Sequence, residues 1–268
     1  MTRRLLLVLA ICIGLLLGLM SYALWVEPSR MEVVRHDLRT TRHDQIWRLV
    51  QVSDLHLRGF TDRERTLAHA IAALSPDVIV LSGDAIDRAD AVPWLRSFVS
   101  ALGRTPVLLV PGNWEHWSGV DFAALKDVGA TLLLNDRWAL SRGDRRLEVI
   151  GLDDFTAGNP EIRLLSAAGA ESDSVSTVLV QHSPGFFDHE TVRKQMAGRR
   201  LTLCLSGHTH GGQIALGGWA PWTPPGSGRF TAGFYDVPGC RLYVSRGVGT
   251  SVIPVRFGSR PEVVVFEF

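Results

Sequence analysis

Cysteine is scarce in this 268-residue chain: Cys12, Cys204 and Cys240 are too few for a disulfide framework. Each lies in or beside an apolar stretch, so they read as small hydrophobes, with a Cys204–Cys240 bridge as the lesser alternative. An excess of charge of either sign is missing too. Lys and Arg total 28 against 27 for Asp and Glu, which excludes a global basic field for nucleic-acid backbones and an acidic tail. No internal repeat or second domain boundary breaks the chain. Disorder is excluded by a 46% hydrophobic and 21% charged composition.

Charge is absent altogether from Leu5 to Val26, a run of 22 residues. As a helix rising about 1.5 Å per residue it spans roughly 33 Å, enough for a hydrocarbon core of about 30 Å. Residues 1–26 therefore read as a single-pass membrane anchor, with 27–45 as a linker and 46–268 as one domain. Arg3-Arg4 before the run is similar to a twin-arginine export signal, whereas Arg30, Arg35, Arg39 and Arg42 just beyond it favour a cytoplasmic side. Ser21-Tyr22-Ala23 is a poor cleavage site, so the segment is expected to be retained in the cell (inner) membrane, the domain leaning extracytoplasmic. Beyond residue 26 the net charge is −1, and no nucleic-acid partner is expected.

Short apolar runs then alternate with helical spacing. Trp47–Val52, Val78–Leu81, Val107–Val110 and Val178–Gln181 read as strands buried on both faces. Arg63–Leu74, Val92–Leu102 and Phe122–Val128 read as helices. Further strands are expected at Thr131–Leu134, Trp138–Leu140, Leu147–Ile150, Leu201–Leu205, Phe230–Tyr235, Leu242–Val244 and Val263–Phe268. The fold class that packs these is α/β, a two-sheet β-sandwich flanked by helices behind an N-terminal transmembrane helix. Residues 211–229 are a Gly/Pro/Trp-rich loop.

Metal-type residues recur where the apolar runs end. Asp54-x-His56 follows the first, and its i, i+2 spacing lets a carboxylate and an imidazole converge. Gly83-Asp84-x-x-Asp87 follows the second, with Asp87 suited to orienting a ligand imidazole. Gly112-Asn113 follows the third, His182 ends the fourth, and Gly207-His208-x-His210 follows Leu201–Leu205. Singly, each has a plain structural reading: Asp84 as a helix cap, Asn113 as a turn residue, a lone His as a core residue. Four of nine histidines at strand ends make coincidence a poor account.

These ordered blocks resemble the calcineurin-like metallophosphoesterases across residues 50–213. Gly211-Gly-Gln213 and the tail from Tyr243 to Gly258 further resemble the membrane-associated or twin-arginine-exported bacterial branch of that family. The resemblance implies that Asp54, His56 and His210 bind one metal, that Asn113, His182 and His208 bind another, and that Asp84 bridges them. Mixed oxygen and imidazole donors suit two divalent ions, Mn favoured over Fe, Zn or a mixed pair.

One position departs from the pattern. The family usually has His after Gly-Asn, and this chain has Trp114, whose indole is no proton donor to a leaving oxygen. His116 is the candidate catalytic acid in its place, with Glu115 expected to orient it. The resulting expectation is a membrane-anchored dinuclear phosphohydrolase of mono-, di- or pyrophosphate esters, a lipid-linked or envelope substrate among them. Trp219, Trp222 and Phe230 read first as ordinary lid packing, with dipping into the membrane interface as the alternative. The alternative is a noncatalytic metal-binding or scaffold protein. No feature sets an oligomeric state.

Overall fold

The computed structural model describes residues 2–39, 46–167 and 174–268. Helix α1 (Thr2–Ser21) runs on through a π turn at Tyr22–Val26 and a 3-10 turn at Glu27–Ser29. Together Arg3–Ser29 form a 27-residue apolar helix, long enough to cross a membrane, whose most apolar stretch is left unburied by the described residues.

The first sheet takes β1 (Glu32–Asp37), β2 (Arg48–Val52), β3 (Val78–Ser82), β4 (Val107–Val110) and β5 (Thr131–Leu132). The second takes β6 (Asp136–Arg142), β7 (Arg145–Gly151), β8 (Val175–Val180), β9 (Leu203–Ser206), β10 (Gly233–Val237) and β11 (Cys240–Val244). The last strand, β12 (Glu262–Glu267), returns to the first sheet. The orders are β1-β12-β2-β3-β4-β5 and β10-β11-β9-β8-β7-β6. β2 to β5 run parallel, as do β7, β8, β9 and β11.

Alternation along the strands builds the core. Leu49, Val80, Leu108, Val149, Val178 and Leu205 face between the sheets. Val50, Leu81 and Leu109 face outward onto α2 (Asp62–Ala72), α3 (Val92–Ala101) and α5 (Phe122–Lys126) through Ile71, Phe98 and Leu125. The second sheet's outer face meets α6 (Glu190–Met196) through Val192 and Met196. Two buried faces explain why the central strands read as continuous apolar runs.

Several sequence expectations shift. Residues 32–37, assigned to the linker, form the edge strand β1, paired parallel with β12 from Glu32↔Glu262 to Asp37↔Glu267. Residues 40–45 of that linker, Arg42 included, lie outside the described residues. The Phe122 helix stops at Lys126, where Asp127 closes it. Cys204 and Cys240 are joined in a disulfide, Cα to Cα 6.0 Å, because β9 and β11 are adjacent parallel strands. Phe230 is fully buried against Tyr235, while Trp219 and Trp222 are exposed.

Candidate metal centre

The carboxyl ends of β2, β3, β4, β8 and β9 meet at one edge of the sandwich, the usual position for ligands in sheets with parallel strands. Asp54 and His56 follow β2, Asp84 follows β3, and Asn113 opens the one-turn helix α4 (Asn113–Trp117) after β4. His182 follows β8, and His208 and His210 follow β9. Ligand atoms of Asp54, His56 and His210 lie within 4.8 Å of one another, as do those of Asp84, His182 and His208. All six are buried, and so is Asn113. All seven sequence candidates for metal binding thus come together.

Turning these side chains toward one point costs backbone strain. Asp54, His56, Asp84, His208 and His210 all have positive φ, between 45° and 71°, a region uncommon for non-glycine residues, and five of them at one site is a concentration typical of functional centres. Glycine clears the remaining space. A Cβ on Gly83 would strike the His182 imidazole, and one on Gly112 would strike the Asp84 carboxylate.

Hydrogen bonds fix which imidazole nitrogen faces inward. His182 Nδ1 donates to the Ser82 carbonyl at 2.8 Å, leaving Nε2 with no hydrogen bond and 3.1 Å from Asp84 Oδ2. His208 Nε2 donates to the Pro225 carbonyl at 2.8 Å, leaving Nδ1 2.7 Å from Asn113 Oδ1. Asp87 holds His56 Nδ1, the orienting role its spacing suggested. The freed His56 Nε2 stands 3.0 Å from His210 Nε2, itself 3.3 Å from Asp54 Oδ1. Imidazole nitrogens and carboxylate oxygens turned on one another in a buried site are the arrangement that a bound cation satisfies. The donors present fit two divalent ions.

The electrostatics carry the same signature. Burial raises the Asp54 carboxyl above its ordinary range, against the pull of His182. Burial also opposes the Asp84 charge, but His182 outweighs it and draws that carboxyl down to about 2. His182 in turn is held well above the usual imidazole range by Asp84, despite its burial. His210 is pushed well below that range by burial and then by His56. Groups displaced so far in opposite senses at one cleft mark a functional site.

Trp114 roofs the first cluster. Its backbone N–H donates to Asp84 Oδ1 at 2.9 Å, its indole N–H to Ser251 Oγ at 3.2 Å, and its ring meets His56 edge-on at 6.1 Å. Glu115 does not orient His116. The helical turn points it the other way, where it accepts the N–H groups of Gly112, Asp84, Ala85 and Ile86 at 2.7 to 3.1 Å. Burial and then Asp84 push its carboxyl up to about 7. His116, one turn after Asn113 on the same side of α4, is held by Asp153, Nε2 to Oδ1 2.6 Å. Sequence reading missed Asp153, although Asp153-Asp154 follows the apolar Leu147–Ile150 run as the other site residues follow theirs. Asp154 accepts the Ser183 hydroxyl at 2.6 Å, bracing the loop after His182.

Residues 48–212 match the family model of the calcineurin-like phosphoesterases. The chain is 32% identical to the metallophosphoesterase YkuE of Bacillus subtilis over 92% of its own length and 88% of that protein. It is 31% identical to a bovine transmembrane protein with a metallophosphoesterase domain, over 92% of its length and 58% of that longer protein. In fold it is similar to a purple acid phosphatase from yellow lupin seeds, with TM-score 0.50 and 12% identity, covering 81% of this chain and 46% of that one.

Proposed function

The chain belongs to the calcineurin-like phosphoesterase family, and we propose that this metal-dependent phosphoesterase is dinuclear and membrane-anchored, cleaving phosphate mono-, di- or pyrophosphate esters. Asp54, His56 and His210 hold one ion, Asn113, His182 and His208 the other, and Asp84 lies between. The observation that carries this reading is the pair of buried triads whose imidazole lone pairs are already turned inward by bonds on the opposite ring nitrogen. Oxygen and imidazole donors without thiolate suit manganese, iron or zinc, and manganese is the working choice. When bound, the two ions acidify water and neutralise charge developing on the phosphoryl oxygens.

The chain itself supplies orientation and a proton. Asp87, Ser82 and Pro225 lock the imidazoles so that no reorganisation is needed during the reaction. His116, steadied by Asp153, is the proposed proton donor in the place of the family's usual histidine. The oxygen of water joins phosphorus, the ester P–O bond breaks, and the leaving oxygen takes the His116 proton. A proton released from the water restores His116 through solvent. The bovine relative and the apolar helix support anchoring in a membrane.

Manganese-loaded enzyme should hydrolyse p-nitrophenyl phosphate or bis-p-nitrophenyl phosphate. Asp84→Asn should lower turnover by roughly 10³-fold or more with the fold retained, since it removes the charge shared by both ions. Full metal occupancy with no turnover on a broad phosphoester panel would instead favour a noncatalytic metal-binding protein.

A further inference from the structure

The apolar helix does not end in a tether. The Ala23 carbonyl accepts the Arg256 backbone N–H at 3.0 Å, the Tyr22 ring meets Phe257 edge-on at 6.2 Å, and the buried Glu27 accepts the Ser259 N–H at 2.7 Å. β1 then begins at Glu32, inside the sheet. The segment gripping the helix is also the one that borders the metal centre. Arg256, fully buried, lies 3.3 Å from His210 Nδ1, and Ser251 accepts the Trp114 indole. The height and tilt of the site relative to the helix are therefore set by a packed joint.

Two further features lie at that joint. Trp25, Leu216, Trp219, Trp222, Val252 and Ile253 are exposed. Gln213 ties the 214–222 loop to the 251–253 segment through the Ser251 N–H at 2.6 Å and the Ile253 carbonyl at 3.2 Å. A rim of this kind, joined to a membrane helix, has the composition of an interfacial surface. Beside it a cavity of about 740 Å³ separates the helix end from α2. Leu24, Met31, Leu55, Leu67 and Ala70 line it together with the charged Arg58, Asp62, Arg63 and Glu64, and His56 of the metal centre is part of the same lining.

We propose that this cavity takes the hydrocarbon part of an amphiphilic phosphoester, which enters from the bilayer along the apolar rim and presents its phosphoryl group to the metal centre. The inference rests on the reading of the chain as a membrane-anchored phosphoesterase. A cavity of this volume is of ligand size, and one whose wall is the end of the apolar helix lies at the level of a membrane surface, within reach of a lipid. The formal charge beyond residue 26, −1, supplies no field to gather a soluble anion instead.

The test uses full-length, manganese-loaded protein in phosphatidylcholine vesicles and two diesters of one leaving group, ethyl and dodecyl p-nitrophenyl phosphate. The dodecyl ester should be cleaved with kcat/KM at least tenfold higher. Dodecylphosphonate should bind at least tenfold more tightly than ethylphosphonate by calorimetry. Ala70→Trp, which fills the cavity from an exposed helix position, should erase both preferences and leave the ethyl ester rate unchanged; Thr66→Trp on the same wall is the second variant. Equal rates for the two esters, or a dodecyl preference that survives both variants, would overturn the proposal. Absence of ethyl ester turnover with any divalent metal would instead overturn the phosphoesterase reading itself, and this inference with it.

Discussion

His116 and Trp114 sit two residues apart on a single turn and meet different partners. Trp114 covers His56 with an aromatic face and donates its one N–H to Ser251, so it shields the site without exchanging protons. His116 faces Asp153. If it protonates the leaving oxygen, His116→Ala should slow alkyl phosphate esters by about 10²-fold, the usual worth of a positioned acid, while p-nitrophenyl esters, whose leaving group needs little protonation, change by less than about threefold. Asp153→Asn should give the same selectivity with a smaller loss. Equal slowing of both ester classes would remove the role. At this scale the sequence was informative wherever a residue's chemistry was rare for its setting: Asp54, His56 and the His208–His210 pair stand at the ends of apolar strands, where a structural part explains them poorly. It was uninformative about partners across space. Glu115 and His116 are neighbours in the chain, yet a helix turns them about 100° apart, and the carboxylate that meets His116 comes from 37 positions away.

The central strands were legible as elements because both of their faces are buried and their apolar runs are unbroken, as in Val78–Ser82 and Val107–Val110. β1 was not. Its residues Glu-Val-Val-Arg-His-Asp are half-exposed on an edge, so neither a continuous run nor a clean alternation marks them, and only the pairing with β12 makes them a strand. The disulfide was hidden for a related reason: that Cys204 and Cys240 are adjacent follows from β11 returning beside β9, a matter of sheet order rather than spacing. Closing a loop of 36 residues, it should stabilise the fold by roughly 2–4 kcal/mol. Alkylation of unreduced protein from cells should label one thiol, Cys12. Reduction should expose two more and lower the melting midpoint by roughly 5–15 °C. Labelling of all three thiols without reduction would contradict the bridge.

For the whole molecule, two sheets and one long apolar helix are joined through the 251–259 segment, which touches both the helix end and the metal centre. Glu27, Arg256 and Ser259 tie that joint together by hydrogen bonds, so that, on the proposed reading of the helix as a membrane anchor, the site is presented at a set depth. The most direct measurement is anomalous X-ray diffraction from crystals of manganese-loaded protein. Two peaks about 3.5 to 4 Å apart are expected, one among Asp54, His56 and His210, the other among Asn113, His182 and His208, with Asp84 touching both. A single peak, or two peaks away from these seven side chains, would contradict the account.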